Sequence, residues 1–377
     1  MRKQTAILVA FLISLQGAFA QHEVVIRIND LPPYHIAGSD VFIAGTFNGW
    51  NPSDTKYKFN VVEGKGYSIK LNLPAGEHWY KITRGSWDKV ECLRGGAGMG
   101  NRQLLVPADT TIDITVEEWV DKFPPKPVVH TSSKQVHLLD SAFNFRQLKR
   151  KGVIWIYLPE DYDETTKRYP VLYMHDGQNL FDDANSFSGE WGVDEFLDTT
   201  IREKCIVVGI AHGGDKRLVE YNPFNHEKFG KGRGKKYAKF LKRTLKPYID
   251  RNYRTKSDKQ NTYIAGSSMG GLISMYAALK YPRTFGGVGV FSPAFWVSGP
   301  EIYKIMQRKG KKLDSKIYFY GGKLEGDSMI PDLMRAFDVM RSKSSSELKL
   351  VIRDEGEHNE RRWREEFPLF YEWAVSN

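Results

Sequence analysis

The sequence predicts two domains, a small antiparallel β-sandwich followed by an α/β domain with a mostly parallel sheet. Its 377 residues are too many for a single hydrophobic core. The first third contains short β-rich runs separated by turn residues, whereas the remainder alternates apolar β-rich runs with helical patterns. Three prolines within residues 123–127 give a stiff, extended linker between the two parts.

The first twenty residues have the pattern of a secretory signal peptide. Arg2 and Lys3 precede an apolar run at residues 6–15, and Ala18-Phe-Ala20 supplies a small-residue cleavage site. The apolar run is too short to span a bilayer. We therefore expect cleavage after Ala20 and a secreted or periplasmic protein with no membrane insertion.

After the signal peptide (residues 1–20), we expect a β-sandwich of the immunoglobulin-like kind at residues 22–121, a linker at 122–135 and the α/β domain at 136–377. The sandwich strands are predicted at residues 23–28, 40–44, 67–73, 78–83, 103–106 and 110–117. The α/β domain should have strands at 153–158, 171–175, 206–211, 262–265, 287–291, 316–320 and 348–352. Its helices are predicted at 191–202, 235–250, 272–281, 331–342 and 361–374, with loops at 182–189, 213–234 and 298–310.

The protein is basic, with a formal net charge of +10 at pH 7. Much of this charge lies in residues 228–246, where aromatic and leucine residues recur at helical spacing. The segment is interpreted as an amphipathic helix whose basic face either is simply solvated or attracts an acidic polymer such as a uronate-bearing polysaccharide. Nucleic acid is not expected as a partner, because the chain has a secretion signal and no recognition motif.

Cys92 and Cys205 are the only cysteines, and they fall in different predicted domains. A bridge between domains is uncommon, so both are expected to be free and buried. No cysteine and histidine cluster has metal-ligand spacing, so neither a metal nor another cofactor is expected.

The most informative motif is Gly266-Ser-Ser-Met-Gly270, a G-x-S-x-G pattern between a β-rich run and an apolar helical pattern. A strand, a sharp turn and a helix form the context in which this pattern presents a nucleophilic serine, and the glycines allow close packing around the turn. The register selects Ser268, because Ser267 would need glycines where Ala265 and Met269 stand. The alternative is a Gly/Ser-rich connection without chemistry.

A nucleophile of this kind is followed along the chain by an acid and then by a histidine. Of nine histidines, His358 alone follows Ser268, and it lies in a loop after a strand-like run, where a general base can be held. The acid stays open between Glu325 and Asp327, which both follow the run at residues 316–320, with Glu325 preferred on placement. Two further carboxylates are less suitable because they belong to the strand end of the histidine itself: Asp354 and Glu355.

Several motifs after residue 136 belong together: Ile156-Tyr-Leu-Pro-Glu-Asp-Tyr162, Val171-Leu-Tyr-Met-His-Asp-Gly-Gln-Asn-Leu-Phe181, Gly189-Glu-Trp-Gly192, the serine motif, Ser292-Pro-Ala-Phe-Trp296 and Glu357-His-Asn-Glu360. They resemble the putative-esterase family of α/β-hydrolases, which includes feruloyl and acetyl-xylan esterases, enterobactin-type trilactone esterases and S-formylglutathione hydrolases. The family commonly carries its acid as Gly-x-x-Asp, which Gly322-Lys-Leu-Glu325 matches with Glu in place of Asp.

The oxyanion hole of such a site needs two backbone donors. One should be the N–H of Met269, the residue after the nucleophile, and the second should come from the loop after an earlier strand. The resemblance implies the N–H of Gln178 for the second donor; the alternative is a plain turn. The resemblance also brings three aromatic residues near the site, either to stack on a sugar or phenolic group or to pack in the core: Trp191, Phe295 and Trp296.

The first domain has motifs of its own: Val41-Phe-Ile-Ala-Gly-Thr-Phe-Asn-Gly-Trp50-Asn-Pro52, Leu73-Pro-Ala-Gly-Glu-His-Trp-Tyr-Lys81, Val90-Glu91, Asn101-Arg102 and Trp119. They resemble the starch-binding domains of carbohydrate-binding module family 20, which hold a glucan by stacking tryptophans on sugar rings. Trp50 and Lys81 match two binding positions. Cys92 stands where the family has another tryptophan, and Trp87 is the candidate substitute. Alternatively, Trp50 is a core residue and the module only docks on the esterase domain.

The sequence thus predicts a secreted serine esterase that works through an acyl-enzyme, with Ser268 as nucleophile, His358 as general base and Glu325 orienting the histidine. The expected substrate is an ester on a polysaccharide or oligosaccharide, because the first domain looks carbohydrate-directed. Two alternatives stay open: a siderophore trilactone esterase of the enterobactin type, and a catalytically silent carbohydrate-binding protein on a hydrolase scaffold.

Overall fold

The computed structural model describes residues 21–62, 66–124, 129–186, 189–227 and 229–376. The chain divides into two compact units, one up to Pro127 and one from Val128 onward. The predicted signal peptide lies outside the described residues, as do residues 125–128 of the predicted linker. No helix in the described part of the chain is both long enough and apolar enough to cross a membrane.

The first unit is mostly β. Its strands are β1 (Gln21–Asp30), β2 (Phe42–Gly45), β3 (Asn60–Val62), β4 (Gly66–Pro74), β5 (Gly76–Thr83), β6 (Glu91–Cys92), β7 (Arg102–Val106), β8 (Thr110–Thr115) and β9 (Glu118–Trp119). A four-stranded sheet of order β3-β4-β1-β8 and a three-stranded sheet of order β2-β5-β7 contribute to one core. Alternate side chains of β4 enter that core, as expected for a strand with one buried face.

The prediction of antiparallel pairing in this unit is wrong for one pair of strands. Each of the six predicted runs overlaps a strand, and β1 pairs with β4 in antiparallel orientation. However, β1 pairs with β8 in parallel, so the unit is not purely antiparallel. The sequence also missed β3, β6 and β9, because strands of two or three residues are too short to show an alternating pattern.

The second unit is built on one eight-stranded sheet. Its strands are β10 (Val136–Phe145), β11 (Arg150–Tyr157), β12 (Val171–His175), β13 (Ile206–Ile210), β14 (Thr262–Ser267), β15 (Gly287–Phe291), β16 (Lys316–Gly322) and β17 (Glu347–Arg353). The order is β10-β11-β13-β12-β14-β15-β16-β17. The six strands from β13 to β17 in that order run parallel, and β10 and β11 are antiparallel to their neighbours.

Helices cover both faces of this sheet. They are α1 (Val193–Thr199), α2 (Arg217–Tyr221), α3 (Gly234–Phe240), α4 (Lys246–Asn252), α5 (Met269–Lys280), α6 (Phe295–Ser298), α7 (Pro300–Lys309), α8 (Met329–Lys343) and α9 (Glu360–Val375). Neighbouring residues of one strand enter different cores: Tyr173 packs with α5 residues, whereas Leu172 packs with α1 and α9 residues. Burial on both faces explains why these strands read as continuous apolar runs.

The seven predicted strands and five predicted helices of this unit overlap observed elements, but other parts differ from the prediction. Helix α2 lies within the segment 213–234, which was expected to be a loop. Helix α7 occupies most of the segment 298–310, which was expected to be a loop. The predicted helix at 235–250 consists of α3 and α4 joined by a π-helical segment, Leu241–Leu245. Strand β10 was missed, because its residues alternate poorly between buried and exposed positions.

Two glycines allow the loops after β16 and β17 to approach closely. A Cβ atom at Gly322 would lie 2.2 Å from the carbonyl oxygen of Gly356, far inside van der Waals contact. The N–H of Leu324 donates to that same carbonyl at 3.0 Å. Gly322 precedes Glu325 by three residues and Gly356 precedes His358 by two, so this contact sets the spacing of the two loops.

We expect Gly322→Ala to lower the free energy of unfolding by about 1–3 kcal/mol, because the added methyl group forces the two loops apart. Urea denaturation measures the change. Gly100→Ala is the control, since a Cβ there meets open space, and it should change stability by less than about 0.5 kcal/mol. Equal stability of Gly322→Ala and the wild type would contradict the role given to this contact.

Candidate active site

Candidate site residues follow five strands that are neighbours in the second sheet. Gln178 follows β12, Ser268 follows β14, Glu325 follows β16 and His358 follows β17, while Ser292 comes directly after β15. These strands are parallel, so their carboxyl ends lie at one edge of the sheet. Ligands of open α/β sheets bind at this edge. The topology alone therefore gathers the candidate residues.

The turn at Ser268 has the strained geometry that the motif predicts. Strand β14 ends at Ser267, helix α5 begins at Met269, and Ser268 between them has φ 56° and ψ −119°. The Ser268 N–H donates to the Phe291 carbonyl at 2.9 Å, and the Ser268 carbonyl accepts from the Ala294 N–H at 3.0 Å. The end of β15 and the loop after it thus hold a half-buried serine in a conformation that costs free energy.

Glycines at both ends of the turn make room for a buried histidine. A Cβ at Gly266 would lie 3.0 Å from His175 Cδ2, and one at Gly270 would lie 3.2 Å from His175 Cβ. The His175 Nδ1 atom is 2.9 Å from the Tyr237 hydroxyl. Burial lowers the pKa of His175 to about 4, so the ring is neutral at pH 7. His175 therefore supports the turn as an uncharged packing residue.

His358 and Glu325 form a hydrogen-bonded pair. His358 Nδ1 lies 2.7 Å from Glu325 Oε2; the histidine side chain is 39% exposed and the glutamate side chain is fully buried. A carboxylate only accepts, so Nδ1 carries the hydrogen and Nε2 is left as the acceptor of the neutral ring. Asp327, the alternative acid, is exposed and does not bond to His358.

The serine and the histidine are not hydrogen-bonded to each other. Within the described residues, no hydrogen bond joins Ser268 to His358. Catalytic hydrogen bonds are often long without substrate and shorten in the complex. The Ser268–His358 contact therefore stays a prediction.

Ser292 and Trp363 fix the acid, and the sequence reasoning gave neither of them this role. The Ser292 hydroxyl donates to Glu325 Oε1 at 2.8 Å, and the Trp363 indole N–H donates to the Ser292 hydroxyl at 2.9 Å. The Trp363 ring also packs edge-on against His358, with centroids 5.0 Å apart. The signal was available in the sequence, because Ser292 comes directly after a buried strand.

The two residues predicted to supply the oxyanion donors both lie after strands of the second sheet. Met269 is the first residue of α5, so its N–H has no partner within the helix. Gln178 lies in a short 3₁₀ turn after β12, residues Gly177–Asn179. A Cβ at Gly177 would lie 2.5 Å from the backbone of Gly209, so glycine lets this turn approach the neighbouring strand.

A buried ion pair supports the Gln178 turn. Asp176 has φ 55°, and its carboxylate accepts from Arg217 Nε at 2.8 Å and from Arg217 Nη2 at 2.7 Å. Burial raises the pKa of the Asp176 carboxyl, but the Arg217 guanidinium outweighs burial and holds that pKa below its ordinary value. The charged pair therefore contributes to stability.

We expect Arg217→Gln to lower the free energy of unfolding at pH 7 by about 3 kcal/mol, because it leaves a buried carboxylate unpaired. The pKa of Asp176 is lower in the folded than in the unfolded state. The pair's contribution is therefore present above pH about 4 and is lost as the pH falls through the folded-state pKa. Urea unfolding at about pH 7 and about pH 3 should show the difference between variant and wild type shrinking.

Arg341→Gln is the control for this experiment, because Arg341 pairs with Asp338 on the exposed face of α8. It should change stability by at most about 1 kcal/mol at either pH. A difference for Arg217→Gln that is equally large at both pH values would show that its effect does not depend on the Asp176 charge.

Burial contradicts two of the three predicted aromatic contacts with substrate. Trp191 is 3% exposed and packs in the core against Phe291, with ring centroids 5.0 Å apart. Phe295 is fully buried and packs against Tyr303. Neither ring has a free face on which a substrate could stack. Trp296, by contrast, is 55% exposed and stays a candidate.

In the first unit the structure brings Trp50 and Trp87 together. Their ring centroids are 6.4 Å apart at an angle of 38°; Trp87 is 42% exposed and Trp50 is half-buried. Trp50 is not part of the hydrophobic core of this unit. Trp87, the candidate substitute for the tryptophan that the family has at the position of Cys92, contacts it. Lys81 is half-buried, and its ammonium group donates to the Met99 carbonyl. Cys92 and Cys205 are free and buried.

Comparison with known proteins shows first a fold shared with solved esterase structures and then the family of the chain. The fold is of the α/β hydrolase type, as in the enterobactin esterase from Shigella flexneri, whose structure superposes with a TM-score of 0.54. That match has 16% identity and covers 89% of this chain and 87% of the other, so it shows the fold alone. The family model described as "Putative esterase" matches residues 146–369, more than half of the chain. The chain belongs to this family, which confirms the resemblance.

Curated relatives match parts of the chain. An alpha-amylase from Niallia circulans is 44% identical over 89 residues, which is 23% of this chain and 7% of the amylase. Amylase matches of this kind fall on the N-terminal region. An endo-1,4-beta-xylanase/feruloyl esterase from Xylanibacter ruminicola is 34% identical over 144 residues, 36% of this chain and 19% of the relative. The matches span between 7% and 56% of the lengths of the first curated relatives.

Proposed function

We propose that the protein is a secreted serine esterase that hydrolyses carboxylic esters on a polysaccharide or oligosaccharide through an acyl-enzyme. The observation that carries the proposal is the His358–Glu325 hydrogen bond at the sheet edge that also carries the strained Ser268 turn. Membership of an esterase family supports the reaction class.

In the proposed mechanism the Ser268 hydroxyl attacks the ester carbonyl, and His358 Nε2 takes its proton. Glu325 holds the Nδ1–H and stabilises the imidazolium that forms. The same histidine then protonates the leaving alcohol, and water hydrolyses the acyl-enzyme by the reverse sequence. Glu325 stays fixed through this cycle because its other oxygen accepts from Ser292 and from the Gly322 N–H at 2.6 Å.

The tetrahedral oxyanion would be stabilised by the N–H groups of Met269 and Gln178. The Met269 N–H lies at the N-terminus of α5, where the helix dipole also favours negative charge. The loss of one such donor typically costs about 3 kcal/mol of transition-state stabilisation. The glycine at position 177 and the Asp176–Arg217 pair hold the second donor's turn in place.

We expect Ser268→Ala and His358→Ala each to lower kcat on a chromogenic acetate ester by about three decades or more. The double variant should be no worse than either single variant, because the two residues act as a unit. Circular dichroism checks that each variant is folded. Ordinary turnover by folded Ser268→Ala protein would refute the mechanism. Absence of turnover by the folded wild type would favour a silent binding protein on a hydrolase scaffold.

Glu325→Gln and Asp327→Asn form a matched pair, since each neutralises one carboxylate of the same loop. Glu325→Gln should lose much more activity, because Asn or Gln in place of the acid favours the wrong histidine tautomer. Asp327→Asn should keep nearly wild-type activity, because Asp327 is exposed. The reverse order would move the acid to Asp327.

We further propose that the first unit is an immunoglobulin-like sandwich of the starch-binding type that brings the esterase to a polysaccharide. Its four-stranded and three-stranded sheets share one core, and its Trp50 and Trp87 rings form a tilted, partly exposed pair on which sugar rings can stack. The amylase relatives support this proposal. The feruloyl esterase relative supports an ester-bearing plant polysaccharide as substrate.

We expect Trp50→Ala and Trp87→Ala, each combined with Ser268→Ala to prevent turnover, to weaken binding to soluble starch or xylan by at least about tenfold. Affinity electrophoresis of the full chain measures the retardation. Trp79→Ala is the matched control, because Trp79 is 38% exposed in the same unit but is not part of the pair. If the protein is not retarded by any polysaccharide, the unit has no glycan-binding role.

Parallel rates on acetylated xylan, methyl ferulate and an enterobactin-type trilactone distinguish the substrate classes. Preference for a polysaccharide or feruloyl ester supports the proposal. Preference for the trilactone would replace it with a siderophore esterase, while the mechanism would be unchanged. Cleavage of the simple acetate ester alone would leave the mechanism intact and refute the substrate assignment.

A further inference from the structure

Three carboxylates meet in the second unit away from the proposed catalytic residues. Glu190, Asp194 and Glu195 each offer one oxygen, and these oxygens all lie within 4.8 Å of one another. Glu190 and Asp194 are 3% and 0% exposed, and Glu195 is half-buried. Asp194 and Glu195 belong to the first turn of α1, and Glu190 precedes that helix by three residues. Largely buried carboxylates that lie this close together need a compensating positive charge.

Each of the three carboxylates is held through one oxygen only. Arg364 donates to Glu190 Oε1 at 3.2 Å and to Glu195 Oε1 at 3.3 Å, and the Ser133 N–H donates to Asp194 Oδ2 at 2.7 Å. The other oxygens are buried and have no hydrogen-bond partner within the described residues: Glu190 Oε2, Asp194 Oδ1 and Glu195 Oε2. Buried acceptors without a partner are rare, and three together point to a missing ligand.

The charge of the cluster is not balanced. Arg364 pairs with Glu190 and Glu195, and no cationic side chain of the described residues pairs with Asp194, so two negative charges remain when all three carboxylates are ionised. A doubly charged cation would supply the missing compensation.

We propose that Glu190, Asp194 and Glu195 bind one calcium ion, each through one carboxylate oxygen. All-oxygen, carboxylate-rich ligand sets select hard divalent cations, and calcium takes six to eight oxygens at about 2.3–2.6 Å. Ligand oxygens on a calcium ion are therefore separated by at most about 5 Å, which the cluster satisfies. Water completes the coordination. The held oxygens keep the carboxylates oriented, as partners outside the coordination shell do at metal sites.

The ion would act on stability rather than on the ester chemistry. Trp191 directly follows Glu190 and packs against Trp363, with centroids 5.8 Å apart. Trp363 in turn contacts His358 and Ser292. Calcium would thus brace the aromatic layer behind the histidine without approaching substrate. This proposal does not depend on the proposed function, because binding is measured without turnover.

The test uses the full chain stripped of metal with EDTA. Isothermal titration with calcium chloride should show one ion bound per chain, and about 1 mM calcium should raise Tm by a few degrees. Glu195→Gln should weaken binding at least about tenfold by removing one ligand oxygen's charge. Arg364→Gln should tighten calcium binding, since it removes the guanidinium that competes with the ion for the carboxylates. Glu301→Gln, the same change in an exposed pair on α7, should leave calcium binding unchanged.

Calcium binding by the metal-free wild type is measured first. Its result tests the proposal even if a variant fails to fold. If the folded, metal-free wild type shows neither calcium binding nor a rise in Tm, the cluster instead shares protons and the proposal is wrong. Equal calcium affinity of Glu195→Gln and the wild type would also overturn it. Tighter binding of magnesium than of calcium would overturn the choice of ion.

Discussion

The placement of Glu325 is the interaction on which the rest of the site depends. Its buried carboxylate accepts three hydrogen bonds, one from each of three strand ends: Gly322 of β16, Ser292 after β15 and His358 after β17. A carboxylate buried in this way is stable only if its oxygens are satisfied. Folding the glutamate inward therefore fixes the three loops relative to one another, and the histidine is oriented as a consequence.

The same principle governs other buried carboxylates of the second unit. Glu220 is paired with Arg150 at 2.9 Å, Glu366 with Arg353 at 2.9 Å, and Asp176 with Arg217. In each case a guanidinium supplies charge and several donors in a planar fork. The cluster of Glu190, Asp194 and Glu195 departs from this pattern, because Arg364 pairs with two of the acids and no arginine in the described residues pairs with Asp194. This difference from the arginine-paired carboxylates supports the calcium proposal.

The sequence predicted those features that local pattern determines. Ser268 and His358 could be found because the motif needs a strand, a turn and a helix, and because one histidine follows the serine. The parallel sheet could be predicted because doubly buried strands are continuously apolar. The burial of Trp191 and Phe295 could not be predicted, since a motif position does not say which way a ring points. The position of Ser292 after a strand marks it as a candidate, but its partners Glu325 and Trp363 lie far away in sequence, so its role is not encoded locally. The Glu190 cluster is local in sequence, but its burial and its contact with Arg364 are not.

Backbone strain in the described residues is found mainly at positions with a proposed function. Five non-glycine residues in the described part of the chain have positive φ: Trp50, Lys149, Asp176, Ser268 and Ser292. Three of them, Asp176, Ser268 and Ser292, come directly after β12, β14 and β15 at the edge that gathers the proposed catalytic residues. Trp50 belongs to the proposed glycan-binding pair. Each such residue costs of order 1–3 kcal/mol, which the surrounding hydrogen bonds must offset. Four of the five strained residues thus lie at proposed functional positions, where a purely structural turn could use glycine at no such cost; the exception is Lys149, which ends a short 3₁₀ turn.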